Sequence, residues 1–244
     1  MTLFDEIEKY WDLRSNGFSF SVREEMETRG SDISEVLLSN LDLEAGSRIL
    51  DLGCGPGLFS MLLSKAGMEV TAIDYSQKMI DTAKANASEE GLDIEFLKMD
   101  AQNLMFGDGS FDAVVSRNMM WALERPEDCY SEISRVLMRD GRLLIMDGNF
   151  YLHLYNEDYA KRPKIHTHAD DIGGHGRHNS DGVDFNIMAE LAKSLPLSRV
   201  ERPSWDVNIL CKKGFTDIDV KLPEIIDTEY RSRAIPSFMI VAKK

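Results

Sequence analysis

Apolar residues recur every three or four positions near the start of the chain, at Leu3, Phe4, Ile7 and Trp11. That period predicts an amphipathic helix over roughly 2–13, and Thr2 with Asp5 has the spacing of a capping box. The polar run SNGFSFS, residues 15–21, breaks the pattern, with Gly17 placed to allow movement. A highly charged helical stretch follows, and Ile33, Val36, Leu37 and Leu41 mark a third helix. From Arg48 onward the signals alternate. RILDLG, EVTAID, IEFLKMD, FDAVVSR and GRLLIMD read as strands. Between them LFSMLLSKA predicts a helix that stops at Gly67, and Ser76 is placed to cap one running to about Ala87. Pro126 suits the first turn of another, which carries Tyr130, Ile133, Val136 and Leu137 on one face. Residues 148–182 show little period. Helices near 184–195 and 203–213, then strands TDIDVKL and SFMIVAKK, end the chain.

Strands alternating with helices imply a parallel sheet covered on both sides. The expected fold class is therefore α/β: a doubly wound, mostly parallel, seven-stranded sheet. Its length of 244 residues suits one such domain. The net charge of -14 argues against a nucleic-acid partner, since phosphate contacts need clustered Lys and Arg, and it disfavours an anionic membrane surface. The acidic N-terminus lacks the basic-then-apolar form of a secretion signal. No run approaches the ~18 apolar residues that span a bilayer. Cys54, Cys129 and Cys211 form no zinc-type pair, so reduced thiols and a cytoplasmic location are expected.

The densest chemical signal is ILDLGCGPGLFS, residues 49–60. Gly53, Gly55 and Gly57 sit at a strand-to-helix turn, where missing side chains let a ligand approach the backbone. A dinucleotide fingerprint counted from Gly53 and Gly55 needs a third glycine where Leu58 stands. The Gly-Lys-Ser/Thr ending of a phosphate-binding loop is also missing. The Asp51 carboxylate would repel a pyrophosphate and favour an ammonium group. Spacing and charge together point to a cationic nucleoside.

DLGCGPG resembles the signature loop of class I S-adenosylmethionine-dependent methyltransferases, and the resemblance extends over residues 45–147 and the two closing strands. It implies S-adenosylmethionine as cofactor and S-adenosylhomocysteine as product. Asp74, at the end of the second strand, matches the residue that binds both ribose hydroxyls, with Tyr75 and Met79 flanking the adenine. Asp100 and Ala101 match the segment that meets the adenine amino group and ring, and Arg117 and Asn118 the segment that meets the methionine portion. Asp140-Gly141 departs from the family's commoner Gly-Gly lead into strand five.

In open α/β sheets ligands bind beyond the carboxyl ends of the strands. Residues 1–30 are expected to form a helical lid there, with Tyr10, Trp11, Phe18 and Phe20 as its aromatic face. Residues 31–244 form the methyltransferase domain, with 148–200, Tyr151 included, as a substrate-side insertion. Four of the five histidines lie in HTHADDIGGHGRH, residues 166–178, and His153 just upstream. Three readings stay open for them. His166 and His168 with Asp170, Asp171, His175 or His178 offer metal ligands but match no specific metal motif, and no metal is assigned. His153, His166 and His168 are candidates for a catalytic base or substrate contact. A solvated polar loop is the third. The function expected is methyl transfer to a small molecule. Its rivals are a non-catalytic cofactor- or metal-binding sensor and, disfavoured by the glycine spacing, an NAD-dependent oxidoreductase.

Overall fold

The computed structural model describes residues 2–161, 182–222 and 235–244. One helix, α1 (Leu3–Leu41), replaces the three expected from the pattern. The capping box at Thr2 and Asp5 is present. SNGFSFS stays helical because its groups find partners within and beside the helix. Ser15 Oγ donates to the Asp12 carbonyl, and Ser19 Oγ reaches Asn86. Gly17 is buried, so the expected hinge is instead a tightly packed turn of helix. Arg23 extends the seam with bonds to Asn86 and Glu89. Tertiary contacts thus override a weak local propensity. The expected lid boundary near residue 30 falls inside this helix.

The remaining elements follow the predicted alternation. They are β1 (Arg48–Leu52), α2 (Leu58–Lys65), β2 (Glu69–Asp74), α3 (Gln77–Glu89), β3 (Glu95–Lys98) and β4 (Phe111–Arg117). Next come α4 (Pro126–Val136), β5 (Leu137–Gly148), a short α5 (Glu157–Ala160), α6 (Asn186–Ala192), α7 (Ser204–Lys212), β6 (Thr216–Lys221) and β7 (Ser237–Lys243). Ser76 caps α3 through Met79 N–H, as its position predicts. β5 starts four residues before the expected GRLLIMD, and the pairing with β4 shifts register between Phe111 and Ala113.

The strand order is β3-β2-β1-β4-β5-β7-β6, with β7 antiparallel to both neighbours and the other pairs parallel. Alternate residues feed two cores. Leu50, Leu52, Val114, Leu143 and Ile145 face α4 and α7, whereas Ile49, Ala113, Val115 and Leu144 face α1 and α2. Both layers are closed along the strands, so open space is left at the carboxyl ends. There the chain turns at Gly53 and Asn118.

A buried network ties the segment after β5 to α7. Arg202 pairs with Asp147 at 2.6 Å and with Asp206 at 2.6 Å, all fully buried. Tyr130 donates to Asp206 at 2.5 Å, and Asn149 bonds the Arg202 backbone through both its amide groups. Asp147 also accepts from Trp121 N–H, which fixes the turn that follows β4.

Candidate active site

The carboxyl ends of β1 to β4 and the inner face of α1 enclose a cavity with about 800 Å3 of empty space, its open mouth included. Gly53 and Gly55 form its floor with φ of 66° and 52°, a region L side chains rarely adopt. A Cβ at Gly53 would lie 2.2 Å from Met119 Cγ, and one at Gly55 would meet Phe18 at 3.3 Å. Only glycine fits at the first, and at the second it leaves the backbone open to a ligand.

Among the described residues, Asp74 and Arg117 are the only charged side chains lining this largely apolar space. Arg117 is neutralised by a two-pronged pair with Glu25 of α1, at 2.9 and 2.7 Å. Asp74 receives one backbone N–H on each oxygen, from Gly55 at 2.9 Å and Ser76 at 2.8 Å. Burial nevertheless raises its pKa to about 6, and nearby Asp12 pushes the same way. Asp51, wholly buried beneath the glycine turn, is raised to about 7 for the same first reason, despite its bond from Ser60 Oγ. The destabilised Asp74 carboxylate makes the cavity receptive to a cation and to hydroxyl donors, whereas Asp51 does not line it.

Residues 50–145 match the family model described as a methyltransferase domain. A ubiquinone biosynthesis O-methyltransferase from a Caulobacter strain is 35% identical over 105 residues, 43% of this chain and 42% of that protein. The chain spans about half the length of the Caulobacter relatives it matches. A phosphatidylethanolamine N-methyltransferase from Cereibacter sphaeroides is 36% identical over 155 residues, 63% of this chain and 75% of the relative. The chain belongs to the class I S-adenosylmethionine-dependent methyltransferases. A solved structure described as an S-adenosylmethionine-dependent methyltransferase from Methanococcus maripaludis shares the fold. Its TM-score is 0.60 at 21% identity, over 93% of this chain and 91% of that one.

The cavity fits the cofactor of these methyltransferases. The glycine floor leaves room that a Cβ would take, and each Asp74 oxygen keeps a lone pair for a diol hydroxyl. Tyr75 and Met79 line the cavity beside Asp74, and Ala101 lines it with Met99. Asn118 lines the far end with φ 53°, a strained conformation for a non-glycine residue.

Other expected residues are placed differently. Gly57 packs toward Ala83 and Phe96, away from the cavity. Asp100 does not line it either, because its carboxylate accepts from Gln102 N and Nε2 and faces Arg125 at 3.7 Å. Trp11 and Phe18, seven residues apart on one helical face, line the cavity together with Phe4 and Ile7. The Phe4 and Tyr75 rings lie 3.9 Å apart, tilted by 37°, at that end of the cavity.

Phe20 corrects the expected aromatic face. Two residues beyond Phe18 in an unbroken helix it turns to the opposite side and is 55% exposed. Tyr10 is buried, packed edge-on against Trp11, and Tyr151 sits 5.1 Å from Trp121 with its pKa raised by burial. His153 is exposed, its Nδ1–H donating to the Phe150 carbonyl, and it lies outside the cavity lining. His166, His168, His175 and His178 lie outside the described residues. Among the described residues no group of acidic, histidine or cysteine side chains could hold a metal, and no helix is long and apolar enough to cross a membrane.

Several lining residues escaped the sequence reading. Phe4 and Ile7 continue the Trp11–Phe18 stripe backward, a signal available once α1 is taken as unbroken. Met119 and Leu123 follow β4 directly. The Glu25 partner of Arg117, 92 residues away, leaves no trace in sequence spacing.

Proposed function

We propose that the protein transfers a methyl group from S-adenosylmethionine to a small-molecule acceptor. One observation carries the reading: Asp74, among the described residues the single unneutralised carboxylate lining an apolar cavity, has both oxygens oriented by backbone N–H groups at the end of β2. In this reading Asp74 holds the ribose hydroxyls, Tyr75 and Met79 flank the adenine, and Ala101 offers its backbone to the ring. Gly53 and Gly55 admit the rest of the cofactor to the backbone, and Arg117 and Asn118 bound its methionine end. When bound, the cofactor supplies an electrophilic methyl on a sulfonium, open to in-line attack.

The chain's own contribution is alignment and exclusion of water. Phe4, Ile7, Trp11 and Phe18 cover the cavity from α1. The Cys54 thiol is raised well above its usual pKa by burial and by Asp74, so it stays protonated and inert near neutral pH. Small acceptors accord with the names of the quinone and phospholipid methyltransferase relatives and with the net charge of -14.

The test is calorimetric titration with S-adenosylhomocysteine, followed by transfer of labelled methyl into fractionated cell extract. One bound equivalent and label in the small-molecule fraction are expected. Label confined to protein or nucleic acid would remove the acceptor class. Absence of binding would remove the whole reading.

A further inference from the structure

A second cavity, with about 1010 Å3 of empty space including its mouth, opens on the other side of the β4 end. Its walls are the second half of α1, through Ile33 and Val36, and the adjoining ends of β5 and β7, through Met146, Phe238 and Met239. Phe59 of α2 completes an apolar lining. Of the charged side chains that also border it, Glu25 is paired with Arg117, Asp147 with Arg202 and Lys221 with Asp219, which leaves Arg29 and Asp32 with opposite charges. Arg117 and Asn118 line both this cavity and the cofactor cavity. The two cavities therefore meet at the Arg117–Glu25 ion pair and the Asn118 backbone.

The family resemblance places the acceptor under the insertion after β5. Among the described residues that region is filled by its own rings. Trp121 lies 5.1 Å from Tyr151, 5.8 Å from Phe150 and 6.5 Å from Trp11, in a cluster with Tyr10, Met188 and Leu195. On the proposed reading Asp74 fixes the nucleoside at the β2–β3 end of the first cavity. The opposite end of the cofactor then meets Arg117 and Asn118, which are also the threshold of the second cavity.

We infer that the second cavity, between α1 and the β5–β7 edge, seats the methyl acceptor, and that the acceptor is a neutral molecule with an apolar body. This rests on the methyl-transfer reading. Continuity at Arg117 and Asn118 supplies the route to the methyl group. The apolar walls select the body by burial, and cancelled charges give no preference for an ionic one. Asp147, at the cavity's inner wall, is already held by Arg202 and adds no free charge.

The experiment uses the full chain saturated with S-adenosylhomocysteine, so that the first cavity is filled. The neutral apolar fluorophore N-phenyl-1-naphthylamine is then titrated. Wild-type protein should bind it with enhanced emission. Val36→Trp and Met239→Trp, each filling the second cavity from a different wall, should weaken that binding at least about tenfold. Their affinity for S-adenosylhomocysteine should stay within about twofold, which also certifies their fold. Label transfer into the small-molecule fraction should fall in parallel. Probe affinity unchanged in both variants, no probe binding by the wild type, or full label transfer by variants that exclude the probe would each overturn the inference. If the wild type fails to bind S-adenosylhomocysteine, the methyl-transfer reading falls first and this inference with it, a result distinct from the other three.

Discussion

Acidifying the solution from about pH 7 to about pH 5 should weaken cofactor binding through one group, Asp74. Its pKa in the free protein is about 6, raised first by burial and also by Asp12, while the Gly55 and Ser76 N–H groups pull it down. All of its hydrogen-bond partners in the structure are donors. Ribose hydroxyls would add two more, so the ionised carboxylate is the form a nucleoside prefers. A group with this pKa is about 90% ionised one unit above it and about 10% one unit below. The loss is therefore about tenfold in affinity, or about 1.4 kcal/mol, with close to one proton released per ligand bound near pH 5. Titration calorimetry with S-adenosylhomocysteine, run in buffers of different ionisation heat, reads both quantities. Asp74→Asn should bind more weakly and show no such slope. A flat wild-type profile, or an equal slope in Asp74→Asn, would refute the assignment.

The linked effect on stability has the opposite sign. Asp51 and Asp74 both have pKa values raised above those of an unfolded chain. Their contribution to stability is full below about pH 4 and is lost as pH rises through about 6 and 7. The ligand reverses this for Asp74 by favouring its ionised form. The increase in Tm on adding S-adenosylhomocysteine should accordingly grow from pH 5 to pH 7.

Two substitutions probe the framework. Gly53→Ala places a Cβ 2.2 Å from Met119 Cγ at a φ of 66°, which should cost about 1–3 kcal/mol of stability and most of the S-adenosylhomocysteine affinity; binding within twofold of wild type would show that the floor is not in contact with ligand. Tyr130→Phe removes a buried donor to Asp206 at 2.5 Å, for which about 1.5–3 kcal/mol and a Tm decrease of about 3–10 °C are expected; an unchanged Tm in a thermal melt would mean that Arg202 alone satisfies that carboxylate.

From Arg48 to Asp147 the chain's periodicities determined the order of elements, and that alternation was enough for the parallel core. They work because each strand and helix must bury one face whatever its neighbours are. The glycine turn and Asp74 were legible for a related reason. Positive φ and close approach demand glycine locally, and a carboxylate at a strand end is fixed by its position in the chain. The course of α1 was not local. Residues 15–21 carry weak helix formers, and only their contacts with Asn86 and the sheet edge keep them helical. That continuity turned Phe20 outward, brought Glu25 to Arg117 and placed Val36 over the β5–β7 edge. None of these has a sequence period. Each depends on where a helix of this length crosses the sheet, which is settled by packing between residues far apart in the chain. The same holds for Asp147, Arg202 and Asp206, three charges that the fold buries together.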